Sequence, residues 1–287
     1  MSTVDQLLRE GTRRLAGRGD SPRLDAELLL AHALGQSREM LYRSLWTDVP
    51  PDAEAIYGAL LAQREGRRPV GQLVERRDFW TLSLTVSNDT LIPRPETELL
   101  VDRALARVPV DATWRIADLG TGTGAIALAI ASERPQCKVV ATDISKAALA
   151  VARRNATVLG LTNVSFREGN WFGALTAPKT ARSRFHLLVS NPPYVAAHEW
   201  VESDPELQFE PRIALDGGED GLDAYRVLTS MAPAYLHPGG WLVLEHGFRQ
   251  GDEVRVLLKA AGFGNVGTAS DLAGRPRVSE GQYGAPP

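Results

Sequence analysis

Asp118-Leu119-Gly120-Thr121-Gly122-Thr123-Gly124 closes an apolar run that begins at Ile116 and leads straight into Ala125-Ile126-Ala127-Leu128. A short apolar run, three alternating glycines and then a string of helix formers read as strand, tight turn and helix. Glycine is the residue that lets the backbone take left-handed turns and approach a ligand where a Cβ would collide. The spacing narrows the ligand class. A dinucleotide turn has the form Gly-x-Gly-x-x-Gly, with its third glycine one position later than Gly124. A P-loop ends in Gly-Lys-Ser/Thr, whereas this turn continues Gly124-Ala125-Ile126.

Outward from this turn, strand and helix patterns alternate. Strands are predicted at Ile116–Leu119, Val139–Thr142, Val164–Phe166, Leu187–Val189 and Trp241–Leu244, with helices at Ala125–Ser132, Ala147–Leu159 and Leu222–Tyr235. A helix Asp252–Ala261 then precedes strand-like Val266–Ser270 and Arg277–Val278. This order implies an α/β fold with a mostly parallel, doubly wound, Rossmann-like sheet. Upstream, Val4, Leu7, Leu8 and Leu15 recur at helical spacing, with Gly17 and Gly19 ending the run. Ser21-Pro22 starts a second helix that Gly35 closes, Arg38–Leu45 gives a third, and Asp52 caps a fourth after Pro50-Pro51. The expected organisation is a small helical bundle over 1–78, a strand or hairpin linker over 79–90 and the α/β domain over 91–287. The terminal Pro286-Pro287 reads as a frayed end.

The 287 residues are 44% hydrophobic and 23% charged, a globular balance with ample core for two domains. Net charge is −3, so no global field draws the chain to nucleic acid. The helical part is itself neutral, with twelve arginines against twelve acidic residues over 1–85. The single cysteine, Cys137, excludes an intramolecular disulfide framework, and the five histidines show no metal-binding spacing. No apolar run approaches a membrane span, and no leader pattern opens the chain. The reading is a cytoplasmic protein without a metal.

Gly-x-Gly-x-Gly after an acidic residue fits S-adenosylmethionine, which has no pyrophosphate to bind. Asp118, Gly120, Thr121, Gly122, Thr123 and Gly124 are therefore candidate cofactor-binding residues. Asp143, some 20 residues on at the end of the next strand, is placed to accept both ribose hydroxyls, as acidic residues do in dinucleotide sites. The alternative is an N-cap for the helix near Ser145, but loop and carboxylate occur together at the expected separation. Asn170-Trp171 follows the third strand at the level of the adenine. Trp171 either packs on the base or fills core, and Asn170 is placed to bond its edge.

Ser190-Asn191-Pro192-Pro193-Tyr194 follows the apolar strand His186-Leu187-Leu188-Val189. The first proline keeps Asn191 out of the helical region, and neither proline donates a backbone hydrogen bond. The chain therefore leaves the sheet as a stiff corner that carries an amide, a free carbonyl on Pro192 and an aromatic ring. Asn191 Oδ1 and the Pro192 carbonyl are two acceptors suited to the two N–H groups of a planar nitrogen. Held in line with a sulfonium methyl, that nitrogen needs no strong base. The same geometry serves a carboxamide or the exocyclic amine of adenine, and the corner alone does not distinguish them. Upstream, Leu91-Ile92-Pro93-Arg94-Pro95-Glu96-Thr97-Glu98 makes a rigid loop that opens the helix Leu99–Ala106, either as an ordinary capped start or as a wall of the site.

These residues together resemble the HemK/PrmC family, the release-factor glutamine N5-methyltransferases. The likeness runs through Leu24–Leu30, Phe79-Trp80, Leu91–Glu98, Asp118–Gly124, Asn191–Tyr194, Phe209-Glu210-Pro211, Ala214–Gly218 with Asp220-Gly221-Leu222, and Leu244-Glu245-His246-Gly247. Ile-Pro-Arg-Pro-Glu-Thr-Glu is its most discriminating segment, and Asn170 stands where an aspartate is frequent. The resemblance implies a methyltransferase that uses S-adenosyl-L-methionine to methylate the glutamine of the Gly-Gly-Gln tripeptide of class 1 peptide-chain release factors. It implies cofactor contacts at Gly120–Gly124, Asp143, Trp171 and Asn191, and catalysis and substrate binding at Asn191, Pro192 and Tyr194. Pro193, Arg94 and Glu98 complete the substrate side, and the helical domain grips the release factor. The expected state is a monomer that makes no direct nucleic-acid contact. The alternatives are a ribosomal-protein glutamine methyltransferase, an adenine N6-methyltransferase and a non-enzymatic nucleotide-binding module.

Overall fold

The computed structural model describes residues 2–178, 180, 183–201 and 204–284. The Pro286-Pro287 reading lies outside them. Contacts divide the chain into two compact units: residues up to Arg76 together with Asp204–Phe209, and the rest from Arg77 onward.

The first unit is a bundle of α1 (Val4–Arg14), α2 (Pro22–Ala33), α3 (Arg38–Arg43), α4 (Pro51–Glu65) and the single turn α5 (Val70–Leu73). Leu8, Leu29, Leu30, Leu41, Tyr57 and Leu61 form its core. A capping box at Thr3 and Gln6 starts α1, a signal not used in the sequence reading. Ser21 holds the N-cap position of α2 without a side-chain bond, because Pro22 leads that helix and its N–H is already missing. Pro50, not Asp52, precedes α4, and Asp52 falls in the first turn, where its charge still favours the helix N-terminus. The Asp204–Phe209 segment joins this bundle through polar contacts. Glu206 pairs with the buried Arg64 at 2.6 Å, beside Asp25 at 2.8 Å, and Gln72 Nε2 donates to the Phe209 carbonyl at 2.8 Å.

The second unit begins with a two-stranded sheet, β1 (Arg76–Phe79) and β2 (Leu82–Thr85). A short 3-10 turn, Pro95–Thr97, then leads into α6 (Glu98–Arg107). The alternating part follows as β3 (Arg115–Leu119), α7 (Ala125–Glu133), β4 (Lys138–Asp143), α8 (Lys146–Val158), β5 (Val164–Glu168), β6 (Phe185–Ser190), α9 (Asp223–Tyr235), β7 (Leu236–Glu245), α10 (Gly251–Ala260), β8 (Phe263–Ser270) and β9 (Pro276–Tyr283). Seven strands make one sheet in the order β5-β4-β3-β6-β7-β9-β8. The first five are parallel, and β9 runs antiparallel to both β7 and β8. Apolar clusters cover both faces, one built on α6 and α7, the other on α9 and α10. This explains why β3 and β6 read as continuous apolar runs without alternation.

The fold positions the site through this strand order. The chain builds outward from β3 to β5, then returns to place β6 on the other side of β3. A ligand crevice forms outside the carboxyl ends of the strands at such a switch point. Here those ends are Gly120 after β3 and Asn191 after β6.

Candidate active site

β3 and β6 pair with Asp118 opposite Val189, and Ser190 Oγ donates to the Leu119 carbonyl at 2.6 Å. The glycine loop and the proline corner therefore leave the sheet side by side. Both the Gly120 and Thr121 amides donate to the Thr142 carbonyl, at 2.9 and 2.8 Å, which folds the loop back over β4. Gly120, Gly122 and Gly124 all take positive φ, at +77°, +54° and +86°, the left-handed region that only glycine visits without strain. A Cβ on Gly120 would stand 3.2 Å from the Trp171 ring, whereas one on Gly122 would meet nothing within 4 Å.

Asp143, at the end of β4, takes the Gly122 amide on Oδ2 and the Ser145 amide on Oδ1, each at 2.9 Å. Ser145 itself caps α8, accepting the Ala148 amide on Oγ, so the N-cap role falls to Ser145 and not to Asp143. A carboxylate offers about four lone-pair positions, and the two that remain after these bonds are available to a diol. Asp143 faces a cavity of about 390 Å³ that also exposes Gly120, Thr121, Gly122, Thr123, Asn170 and Trp171. Asn170 precedes a 3-10 turn without capping it through its side chain, and Trp171 holds φ +46°. Trp171 both lines the cavity and packs on the α9 side of the core, so its place in the core leaves a face on the cavity. The open space at Gly122, the free lone pairs of Asp143 and the flat indole wall fit S-adenosylmethionine.

Asn191, Pro193 and Arg94 line the same cavity. Asn191 Nδ2 donates to Thr97 Oγ1 at 3.2 Å, so Thr97 and the corner meet. Arg94 pairs with the buried Glu210, whose Oε2 also accepts the Ile92 amide at 3.0 Å. That clasp ties the Pro93-Arg94-Pro95 loop down.

Five expected site residues stand outside the cavity lining. Asp118 is fully buried under the loop, where its Oδ2 accepts the Thr121 hydroxyl at 2.6 Å, and burial raises its pKa to about 7. Gly124 packs against Leu128 and Ala152. The Pro192 ring is buried in the corner. Tyr194 packs on the α9 side of the core, where burial raises its phenol to about 12. Glu98 turns away, its Oε1 accepting the Trp80 amide at 2.8 Å. Trp80 sits at φ +57°, and the carboxylate holds that turn.

The sequence compares with known proteins over nearly its full length. A PrmC N-terminal domain model matches residues 6–74, and a methyltransferase domain model matches residues 111–247. The release factor glutamine methyltransferase of Xylella fastidiosa is 53% identical over 262 residues, which cover 91% of this chain and 93% of that protein. The chain belongs to the release factor glutamine methyltransferase family. Its Pseudomonas aeruginosa relative of the same name is 45% identical over 287 residues, with 99% of each chain covered. A methyltransferase from Pyrococcus furiosus shares the fold at TM-score 0.53 and 20% identity, covering 71% of this chain and 90% of its own.

Two residues beside the corner, Thr97 and Glu245, carry no assigned role in the sequence pattern. Thr97 lies inside the Ile-Pro-Arg-Pro-Glu-Thr-Glu segment, between two glutamates that are the more obvious polar candidates. Glu245 is a carboxylate at the end of an apolar strand, 2% exposed. Such a residue has no reason to be there as a solvated charge, and that was the available signal. No helix among the described residues is long and apolar enough to cross a membrane, and no group of described His, Cys, Asp or Glu residues could hold a metal ion.

Proposed function

We propose that this chain transfers a methyl group from S-adenosylmethionine to the side-chain nitrogen of the glutamine in the Gly-Gly-Gln tripeptide of class 1 peptide-chain release factors. One observation carries the reading. Asn191, its nitrogen engaged by Thr97, opens on the same cavity as the glycine loop and Asp143. Relatives that cover nine-tenths or more of the chain are named release factor glutamine methyltransferases.

S-adenosylmethionine supplies an electrophilic sulfonium methyl, and the transfer replaces one amide N–H by N–CH3 with release of a proton. In the proposed arrangement the Gly120–Thr123 backbone cradles the amino-acid end of the cofactor, and Asp143 accepts the ribose hydroxyls. Trp171 covers the adenine and Asn170 bonds its edge. Asn191 Oδ1 and the Pro192 carbonyl accept the two substrate N–H groups. A carboxamide nitrogen is a poor nucleophile, so orientation is the protein's main contribution, worth effective molarities of roughly 10⁵–10⁸ M. Tyr194 stays protonated at neutral pH and packs behind the corner, so it supports the corner and is not a base. Pro193 and Arg94 line the substrate side, and Glu98 braces that wall through Trp80.

The helical unit is proposed to grip the release factor. Its described surface exposes Met40, Tyr42 and, most of all, Trp46 at 79%, the aromatic and Met side chains that protein interfaces favour. With a neutral charge balance it offers no field for nucleic acid. The proposed setting is the cytoplasm, with the chain acting as a monomer.

Labelled S-adenosylmethionine incubated in parallel with release factor, ribosomal protein and nucleic acid tests the reading. Label is expected on the release-factor glutamine. Label on ribosomal protein alone, or on nucleic acid alone, overturns the substrate.

A further inference from the structure

Behind the corner lies a buried acid that neither cofactor nor substrate binding accounts for. Glu245 ends β7, whose Leu244 pairs with Ser190 of β6, so Glu245 and Asn191 leave neighbouring strands at the same level. Glu245 Oε2 is buried without a hydrogen-bond partner. The polar side chains of Thr97 and Asn191 and the charge of Arg277 on β9 favour its ionised form, and Glu96 of the Pro95–Thr97 turn opposes it. Tyr194 and Tyr225 also feel its charge, and the Tyr225 hydroxyl donates to its backbone carbonyl at 2.9 Å.

This arrangement sets the direction of the Asn191 amide. An ionised carboxylate only accepts hydrogen bonds. As an acceptor beside Asn191 it would draw the Thr97 hydroxyl hydrogen toward itself, which matches Thr97 Oγ1 standing as the acceptor for Asn191 Nδ2 at 3.2 Å. The amide nitrogen is then drawn inward and Oδ1 is left facing the cavity. A protonated Glu245 donates instead, which favours the reversed amide with its oxygen inward. Nδ2 then meets the substrate N–H, donor against donor. We propose that Glu245 is a positioning residue that, ionised and acting with Thr97, holds Asn191 Oδ1 toward the substrate nitrogen. The proposal rests on the glutamine reading above. Burial raises the Glu245 carboxyl to about 7, so the switch between the two amide directions falls near neutrality.

The test measures methyl transfer to purified release factor across pH, with cofactor binding measured separately by calorimetry. For the unaltered chain, kcat is expected to climb through an inflection near pH 7, the value that burial gives Glu245. Glu245→Gln is expected to lower kcat, by up to about a hundredfold for a misaligned reactant, and to abolish that inflection while leaving cofactor affinity in place. Thr97→Val should do the same, and Thr97→Ser should restore both rate and inflection relative to it. A merely structural role for Glu245 would lower cofactor binding and folded yield together and leave the inflection. If Glu245→Gln fails to fold, the Thr97 pair decides. Normal transfer to release factor with the inflection intact in these variants overturns this proposal alone. An unaltered chain that labels no release factor at any pH overturns the glutamine reading, and this proposal with it.

Discussion

The Gly122 amide donates to Asp143 Oδ2 at 2.9 Å, so the glycine loop and the carboxylate that follows it by 21 residues are one part, not two. The bond aligns the loop and points the remaining lone pairs of Asp143 into the cavity. Asp143→Ala should weaken S-adenosylmethionine binding by roughly 1.5–3 kcal/mol, the usual worth of hydrogen bonds to a charged group. Asp143→Asn should fall between, because its single carbonyl oxygen serves only one of the Gly122 and Ser145 amides. Isothermal titration of each variant measures this, and unchanged affinity in Asp143→Ala would remove the carboxylate from the cofactor site.

Gly122 and Gly124 separate two uses of glycine in one loop. Both sit at positive φ, but a Cβ on Gly124 would lie 3.0 Å from Leu128 Cδ1 and 3.2 Å from Ala152 Cβ, whereas one on Gly122 meets open space. Gly124→Ala should therefore show chiefly as lost stability, by about 1–3 kcal/mol from left-handed strain and crowding. Gly122→Ala should lose less stability and more cofactor affinity, because its methyl enters the cavity. Urea unfolding and cofactor titration on both variants give the four numbers. Equal losses in the two would contradict the division.

The middle of the sheet was legible because β3, β4 and β6 are buried along most of their length and stand out as largely apolar segments, and because three glycines punctuate the first crossover. At the start of α4, local chemistry leaves the choice of cap open. Asp52 and Pro50 are both able to precede a helix, and sequence does not say which one does. That the loop, Asp143 and Asn191 come to one cavity was legible from residue type and spacing. Glu98 was not: a glutamate at a helix start is equally suited to a cap, a ligand or, as here, a bond to the distant Trp80 amide. Thr97 meets Asn191, 94 residues away in the chain, and only the folded strand order reveals that.

Asp118 makes stability depend on pH. Its folded-state pKa, about 7, stands above the ordinary 3.8 because burial disfavours the charged form. Between those values the folded protein keeps a proton that the unfolded chain has released, so stability falls as pH rises from about 4 to 7 and levels off above. The gap corresponds to at most about 4 kcal/mol. Asp118→Asn keeps an acceptor for the Thr121 hydroxyl and cannot ionise, so it should be the more stable protein at about pH 8 and lose most of this slope. Glu245, raised from 4.5 to about 7, contributes a second slope of the same sign that the variant retains. Urea midpoints on either side of neutrality check this, and a slope unaffected by Asp118→Asn would show that its carboxyl does not titrate there.

Asn191 and Glu98 both belong to segments that were expected to touch substrate, and the structure predicts opposite consequences for removing them. Asn191 faces the cavity, and its nitrogen is bound to Thr97, so Asn191→Ala removes an orienting acceptor while the glycine loop and Asp143 stay in place. It should retain most cofactor binding and lose most methyl transfer, up to about a hundredfold, the scale of a misaligned reactant. Glu98 instead satisfies the Trp80 amide at a left-handed turn. Glu98→Ala leaves that half-buried N–H unpaired and should cost about 1–3 kcal/mol of stability, with the rate per folded molecule much less affected. Single-turnover transfer rates normalised to the folded fraction separate the two. If Asn191→Ala turns over normally, its amide does not orient the substrate nitrogen. If Glu98→Ala loses rate without losing stability, Glu98 reaches the substrate after all.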